Sequence, residues 1–174
     1  MKKAVLDVSP LNSSFLYSAF FLIPRSVTST VFSKLSQPVI LGFDPGRYKC
    51  GLAIVGLDRS LCYHEVVSAE DVVDHIAALR QTYPISLIVM GDQTGAQIWK
   101  QELSQRLKEN PNIILIDERY SSLEARDRYW EMFPPKGLNR ILPQSMRTIP
   151  RPIDDIVAIL LIERYLNKLT EVEI

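Results

Sequence analysis

Three short apolar runs limit what this chain can fold into more than any other feature: residues 39–44 (VILGFD), 86–91 (SLIVMG) and 112–117 (NIILID). Each has the length of a strand, lacks a polar face, and stops at an acid or at a glycine followed by one. A strand that is apolar on both faces has to be covered on both faces, which calls for a sheet packed between helices. The last two runs alternate with helix-length segments, the order that gives parallel neighbours.

The other elements follow from spacing. Residues 51–56 and 59–67 read as a second and third strand, linked closely enough for an antiparallel meander. Ser68, with Asp71 three residues on, marks a helix start, and Val72, Val73, Ile76, Ala77 and Leu79 supply its apolar face. Thr94 with Gln97 opens a second helix to about residue 108, and Ser121 with Glu124 a third to about 132. Residues 134–151 hold four prolines and read as irregular, and Pro152 stands in the first turn of a last helix ending near 168. Antiparallel strands first and βα alternation after them predict a mixed α/β sheet covered by helices.

Size and charge narrow the function classes. The chain has 174 residues, enough for one domain with a real core, expected over 38–170. Lys+Arg and Asp+Glu both number 20, so bulk positive charge does not hold it to nucleic acid, although a local basic patch remains open. Cys50 and Cys62 make neither a disulfide framework nor a zinc site, and both are expected as buried, reduced thiols of a cytoplasmic protein. No apolar run reaches the roughly 18–20 residues that span a bilayer, so no membrane partner is expected. Residues 1–37 stand apart, with Lys2 and Lys3, an apolar patch over 15–23 and a Ser/Thr-rich tail. That order copies a targeting peptide loosely, but Ser18 breaks the patch and no clear cleavage site follows, so a poorly ordered extension is expected.

The acids collect at element ends. The first strand ends at Asp44, the fourth at Gly91-Asp92 and the fifth at Asp117-Glu118, and the last helix opens with Asp154 and Asp155. In a sheet with βα links, the carboxyl ends of parallel strands gather along one edge, where sites form. Ala158 lies one turn beyond Asp154, and a small residue there lets the helix approach the sheet and carry Asp154 toward Asp44. Carboxylates brought close together resist joint ionisation unless a cation joins them. The hard, oxygen-seeking Mg²⁺ or Mn²⁺ suits such a cluster, and a metal on Asp44 and Asp154 is the equipment of phosphodiester hydrolysis. Each acid alone has a plainer reading, as a turn former or a first-turn acid; their shared placement favours a site.

The segments ILGFDPGRYKCGLAIVG, IILIDERYSSLEARDRYW and PIDDIVAILLIERYL resemble the YqgF/RuvX family over about 39–166. The resemblance implies a ribonuclease-H-like fold, with a five-stranded mixed sheet of order 3-2-1-4-5 flanked by helices. It implies a divalent-metal-dependent nuclease acting on structured nucleic acid, either a ribosomal RNA precursor or branched DNA such as a Holliday junction. The family's acids fall on Asp44, on Asp117 and Glu118, and on Asp154 with Asp155 next in line. Asp44, Glu118 and Asp154 are then the expected catalytic groups, with Asp44 and Asp154 holding the metal. After the fourth strand, MGDQTGAQIWKQEL is shorter than the family's usual loop and looks more like the related domain of Tex-type transcription factors. That likeness carries the alternative of a catalytically inactive nucleic-acid-binding module. An actin-like or sugar-kinase-like phosphotransferase would need two such lobes, and the chain supplies one.

Basic and aromatic residues complete the expectations. Residues 134–151 contain Lys136, Arg140, Arg147 and Arg151 and no acid, which suits a loop that tracks phosphates as well as it suits a solvated surface. Lys49, Arg119 and Arg147 are the expected nucleic-acid contacts, and Arg47 stands beside them in the first hairpin. Asp92 is either a further acid of the site or a turn residue tied to Thr94. Of Tyr120, Tyr129 and Trp130, at least one belongs to the core, and the others suit base stacking. His64 and His75 are too isolated to read as metal ligands. A homodimer is compatible with this reading.

Overall fold

The structure, a computed structural model, describes residues 37–171 except 94, 109 and 110, and at residue 138 the backbone alone. The expectations for residues 1–36 and for a cap at Thr94 lie outside the described residues. Five strands form one sheet: β1 (Val39–Asp44), β2 (Lys49–Gly56), β3 (Leu61–Ser68), β4 (Ile85–Gly91) and β5 (Ile113–Ile116). Their spatial order is β3-β2-β1-β4-β5, with β1–β2 and β2–β3 antiparallel and β1–β4 and β4–β5 parallel. This is the mixed sheet that the sequence predicts, in the strand order that the family resemblance implies.

Four helices among the described residues cover it: α1 (Val72–Thr82), α2 (Ala96–Arg106), α3 (Ser121–Met132) and α4 (Asp154–Glu171). Alternation along the strands sorts the core into two layers. Leu41, Phe43, Leu52, Ile54, Ile88 and Met90 face α1 and α2. Ile40, Ala53, Val55, Leu87 and Val89 face α3 and α4. Burying one large aliphatic side chain stabilises by about 1.5–3 kcal/mol. Helix α4 buries Ile156, Val157, Ile159, Leu161, Ile162 and Leu166, so much of the fold's stability sits on the helix that begins with the acid pair.

That helix lies unusually close to the sheet. A Cβ added at Gly42 in β1 would overlap the carbonyl of Ala158 and lie 2.9 Å from Ile162 Cδ1. The small residue at 158 therefore does what its position suggests, and the sheet answers it with a glycine.

Several element ends differ from the sequence expectation. Strand β3 starts at Leu61, because a tight turn closes at Gly56–Ser60 with Arg59 left-handed at φ 63°. Ser68 does not cap α1; its hydroxyl accepts the Glu70 N–H at 3.2 Å. Ser121 does not cap α3 either. It is the first helical residue and is buried, and left-handed Tyr120 (φ 63°) turns the chain into the helix. Residues 134–151 are irregular except for short 3-10 turns at Gly137–Arg140 and Gln144–Met146. Cys50 is buried as expected, but Cys62 is exposed, near the start of β3, the edge strand of the sheet. Among the described residues no helix is long and apolar enough to cross a membrane.

Candidate active site

Asp44 closes β1 between two glycines, and each glycine admits another acid. Gly51 of β2 is its antiparallel partner. A Cβ on Gly51 would overlap the Asp154 carbonyl and lie 2.7 Å from the Asp155 nitrogen, so the first turn of α4 rests directly on that position. On the other side, Phe43 pairs with Met90, and Gly91 is the next residue of β4. A Cβ there would overlap the carboxylate of Glu118. Alternation puts Asp44, Gly51 and Gly91 on the same face as Ile40, Ala53 and Val89, the face that α4 covers.

The electrostatics follow from this packing. Burial pushes the Asp44 carboxyl up to about 7, and the charges of Glu118 and Asp154 add to the shift, with no cation opposing it. Glu118 is also raised, first by burial and further by Asp92, against the Gln93 N–H that donates to its Oε1 at 3.3 Å. Asp44, Glu118 and Asp154 thus form a group of acids; Arg164 offsets Glu118 in part, and only at Asp44 does no cation oppose the shift. Among the described residues no three carboxylate, imidazole or thiol groups are close enough to enclose an ion as they stand. The donor set nonetheless fits a hard divalent cation: its atoms are oxygens, and the charges of Glu118 and Asp154 both raise the Asp44 carboxyl.

The remaining acids have other partners. Asp117 accepts from Arg119 Nε at 3.0 Å and Nη2 at 2.7 Å, and this guanidinium holds its carboxyl down to about 2. Arg119 therefore pairs with Asp117 on an exposed turn. Arg164 of α4 braces that turn, donating to the carbonyls of Asp117 (2.5 Å) and Arg119 (3.0 Å) and to Glu124 (2.8 Å). The brace holds the chain through the left-handed Tyr120 and so fixes where Glu118 points. Asp92 accepts the Glu118 N–H at 3.4 Å, which makes it a support of Glu118.

Asp155 is 2% exposed and fully engaged. Its Oδ2 lies 2.6 Å from His64 Nδ1 on β3, and Arg151 Nη1 donates to both its oxygens at 2.9 and 3.0 Å. The rings of Tyr129 and Phe133 lie within 5.6 and 5.2 Å of the Arg151 guanidinium. Of the pair Asp154 and Asp155, it is Asp154 whose charge, after that of Glu118, raises Asp44. Removing one member of a buried ion pair costs about 3–5 kcal/mol. His64 and Arg151 are each about one-third exposed, which lowers the expectation for Asp155→Ala to about 2–4 kcal/mol. A thermal unfolding midpoint within a degree or two of the parent's would rule out this clamp.

Sequence reasoning missed three contributors. His64 reads as an isolated histidine because its partner is 91 residues away in the chain. Arg164 reads as one more charge on the last helix. Arg126 carries no signal of its own in the sequence, yet it lines a cleft beside Asp154 together with Lys49 and Arg147. Lys136 and Arg140 do not line that cleft. Tyr129 is core, whereas Tyr120 is exposed.

No family model matches the sequence. A relative from Psychrobacter sp. (strain PRwf-1), provisionally named pre-16S rRNA nuclease, is 28% identical over 159 residues, which is 80% of this chain and 84% of that protein. Among solved structures, Thermus thermophilus RuvC aligns over 75% of this chain and 96% of its own, at 12% identity and a TM-score of 0.41. A provisionally assigned sugar kinase from Cytophaga hutchinsonii aligns over 53% of this chain and 39% of its own, at 13% identity and a TM-score of 0.36.

Proposed function

We propose, on the premise that the chain belongs to the YqgF/RuvX family, that it is a divalent-metal-dependent nuclease for structured nucleic acid. The favoured substrate is the small-subunit ribosomal RNA precursor in its relative's name. The observation that carries the reading is Asp44 between Gly51 and Gly91, with Asp154 and Glu118 brought in through the two glycines and their charges raising its carboxyl.

Asp44 and Asp154 are the ligands in this reading. Bound there, Mg²⁺ or Mn²⁺ would polarise a phosphoryl oxygen and lower the pKa of a water. Glu118, with its carboxyl raised and its Oε1 held by the Gln93 N–H, is placed to orient the attacking water and take its proton. Asp155 is set aside as a ligand, since its oxygens are committed to His64 and Arg151. Asp117 serves as the counter-ion of Arg119.

A cleavage assay with Mg²⁺ or Mn²⁺ on a ribosomal RNA precursor and on a four-way DNA junction tests this. Cutting of the precursor is the expected result. Cutting of the junction alone would change the substrate, and binding of both without cutting would favour the inactive binding module.

A further inference from the structure

Beside Asp154 lies a cleft of about 570 Å³, between the start of β2, the first turns of α3 and the segment leading into α4. Four cations line it, Lys49, Arg126, Arg147 and Arg151, against one acid, Asp154. The chain as a whole is neutral, so this is a strong local excess. Other arginines of the domain are neutralised by acids: Arg106 by Asp74 and Glu102, Arg119 by Asp117, Arg128 by Glu131 and Glu163, and Arg164 by Glu124.

Within the cleft, Arg151 is committed to Asp155. The side chains of Lys49 and Arg126 have no ion pair or hydrogen bond among the described residues. Arg147 is pre-oriented rather than neutralised. Its Nε donates to the Leu142 carbonyl at 2.9 Å and its guanidinium lies 5.8 Å from the Trp130 ring centroid, which leaves charge and N–H groups for a ligand. The lining contains no aromatic residue, while Ser122, Ser145 and Thr148 add hydroxyls. Cations and hydroxyls without rings suit a sugar–phosphate backbone and give nothing for bases to stack on.

We propose that this cleft carries the phosphodiester backbone of the substrate to the site, with Lys49, Arg126 and Arg147 each neutralising a phosphate and the scissile phosphate at the Asp154 end. The proposal deepens the nuclease reading and rests on it for the role of Asp154. It assigns Arg126 a substrate contact and makes recognition independent of base sequence. RNA and DNA share this backbone chemistry, so both are probes.

The test is equilibrium binding, in EDTA and over a range of salt, of a labelled RNA hairpin and a labelled four-way DNA junction, each in two unrelated sequences. The full chain is compared with Arg126→Ala, with Lys49→Ala/Arg126→Ala/Arg147→Ala, and with Lys108→Ala. Lys108 borders a different cleft, at the start of β4 and so at the opposite edge of the sheet. Each lost phosphate contact flattens the plot of log K against log salt by about 0.9 for duplex and about 0.7 for single strand. Arg126→Ala should therefore reduce the slope by about one and weaken binding several-fold, the triple variant should reduce it by about two to three, and Lys108→Ala should match the parent. Equal losses on both sequences of a probe are expected, and the probe with the larger loss identifies which nucleic acid the cleft serves.

The proposal is overturned by a triple variant that keeps the parent's affinity and slope, by an equal loss in Lys108→Ala, or by a parent that binds neither probe. The two readings fail separately. A parent that cuts nothing while its cleft variants lose binding would refute the nuclease and support the cleft. A parent that cuts, with a triple variant that binds and cuts like it, would refute the cleft alone.

Discussion

Asp44→Asn will fold, will cut at least about 10³-fold more slowly than the parent, and will be the more stable protein at pH 8. The activity loss follows from the position of Asp44 as the one acid adjacent to both Asp154 and Glu118. A metal's stabilisation of transition-state charge amounts to several kcal/mol, and about 4 kcal/mol corresponds to three decades in rate. An amide in place of the carboxylate keeps the shape and one oxygen but gives up the charge that retains the ion. A variant that cuts at the parental rate would remove Asp44 from the site.

The stability gain is a linkage argument. The Asp44 carboxyl titrates near 7 in the folded protein, against an ordinary value of 3.8. Between those values the folded state holds a proton that the unfolded chain has released, so stability falls as pH rises. The contribution is whole below about pH 4 and gone above about 7. A shift of roughly three units corresponds to a cost of up to about 4 kcal/mol at pH 8. Asparagine avoids that cost but buries an amide that needs partners of its own, so a gain of about 1–3 kcal/mol is expected, or roughly 3–8 °C in unfolding midpoint. The gain should vanish and change sign toward pH 4, where the parent's carboxyl is neutral and the variant still carries the cost of its amide. Added Mn²⁺ should raise the parent's midpoint at pH 8 and leave the variant's unchanged, because only a ligand with a site stabilises the folded state. A pH-independent difference between the two would mean that the acids do not confront one another at this position.

The parts of this molecule that were legible in the sequence are those where a local pattern and a tertiary demand coincide. The apolar runs at 39–44, 86–91 and 112–117 leave no choice of face, so they announce buried strands, and β1, β4 and β5 stand there. Ala158, one turn after Asp154, announces a helix lying close to the sheet, and Gly42 lies under it. Legibility ends where a residue's role depends on a distant partner. Asp154 and Asp155 are chemically identical neighbours, and only His64 on β3 and Arg151 separate them by engaging one and leaving the other. Ser68 and Ser121 have the spacing of caps, but Asp71 and the left-handed Tyr120, the latter on a turn braced from a distance by Arg164, begin those helices. Cys62 reads as buried because the meander reads as buried, and nothing local shows that β3 is the edge. Gly51 and Gly91 were visible as letters, but their function is the space they leave for groups from other elements.

Those two glycines support the sharpest separation of effects available here. Gly91→Ala should cut about 10–100-fold more slowly with stability close to the parent's, whereas Gly51→Ala should lose activity and stability together. At Gly91 the new methyl meets the carboxylate of Glu118, the end of a flexible side chain that swings aside by giving up its 3.3 Å bond from the Gln93 N–H. The strand tolerates alanine and gains up to about 1 kcal/mol from lost chain entropy, which offsets the repacking. The displaced carboxylate no longer reaches the water it orients, and a misplacement of about 1 Å is enough to cost on the order of 10²-fold. At Gly51 the methyl meets backbone, the Asp154 carbonyl and the Asp155 nitrogen. That backbone has little freedom, since Asp155 is tied to both His64 and Arg151. The first turn of α4 must then lift from the sheet, at about 1–3 kcal/mol or more for an overpacked site. A double-mutant comparison isolates the mechanism at Gly91. If the alanine acts only by evicting Glu118, then Gly91→Ala in a Glu118→Ala background should reduce activity no further, a non-additivity expected of groups in direct contact. Additive losses would mean that Gly91 serves the site in some way other than making room for that carboxylate.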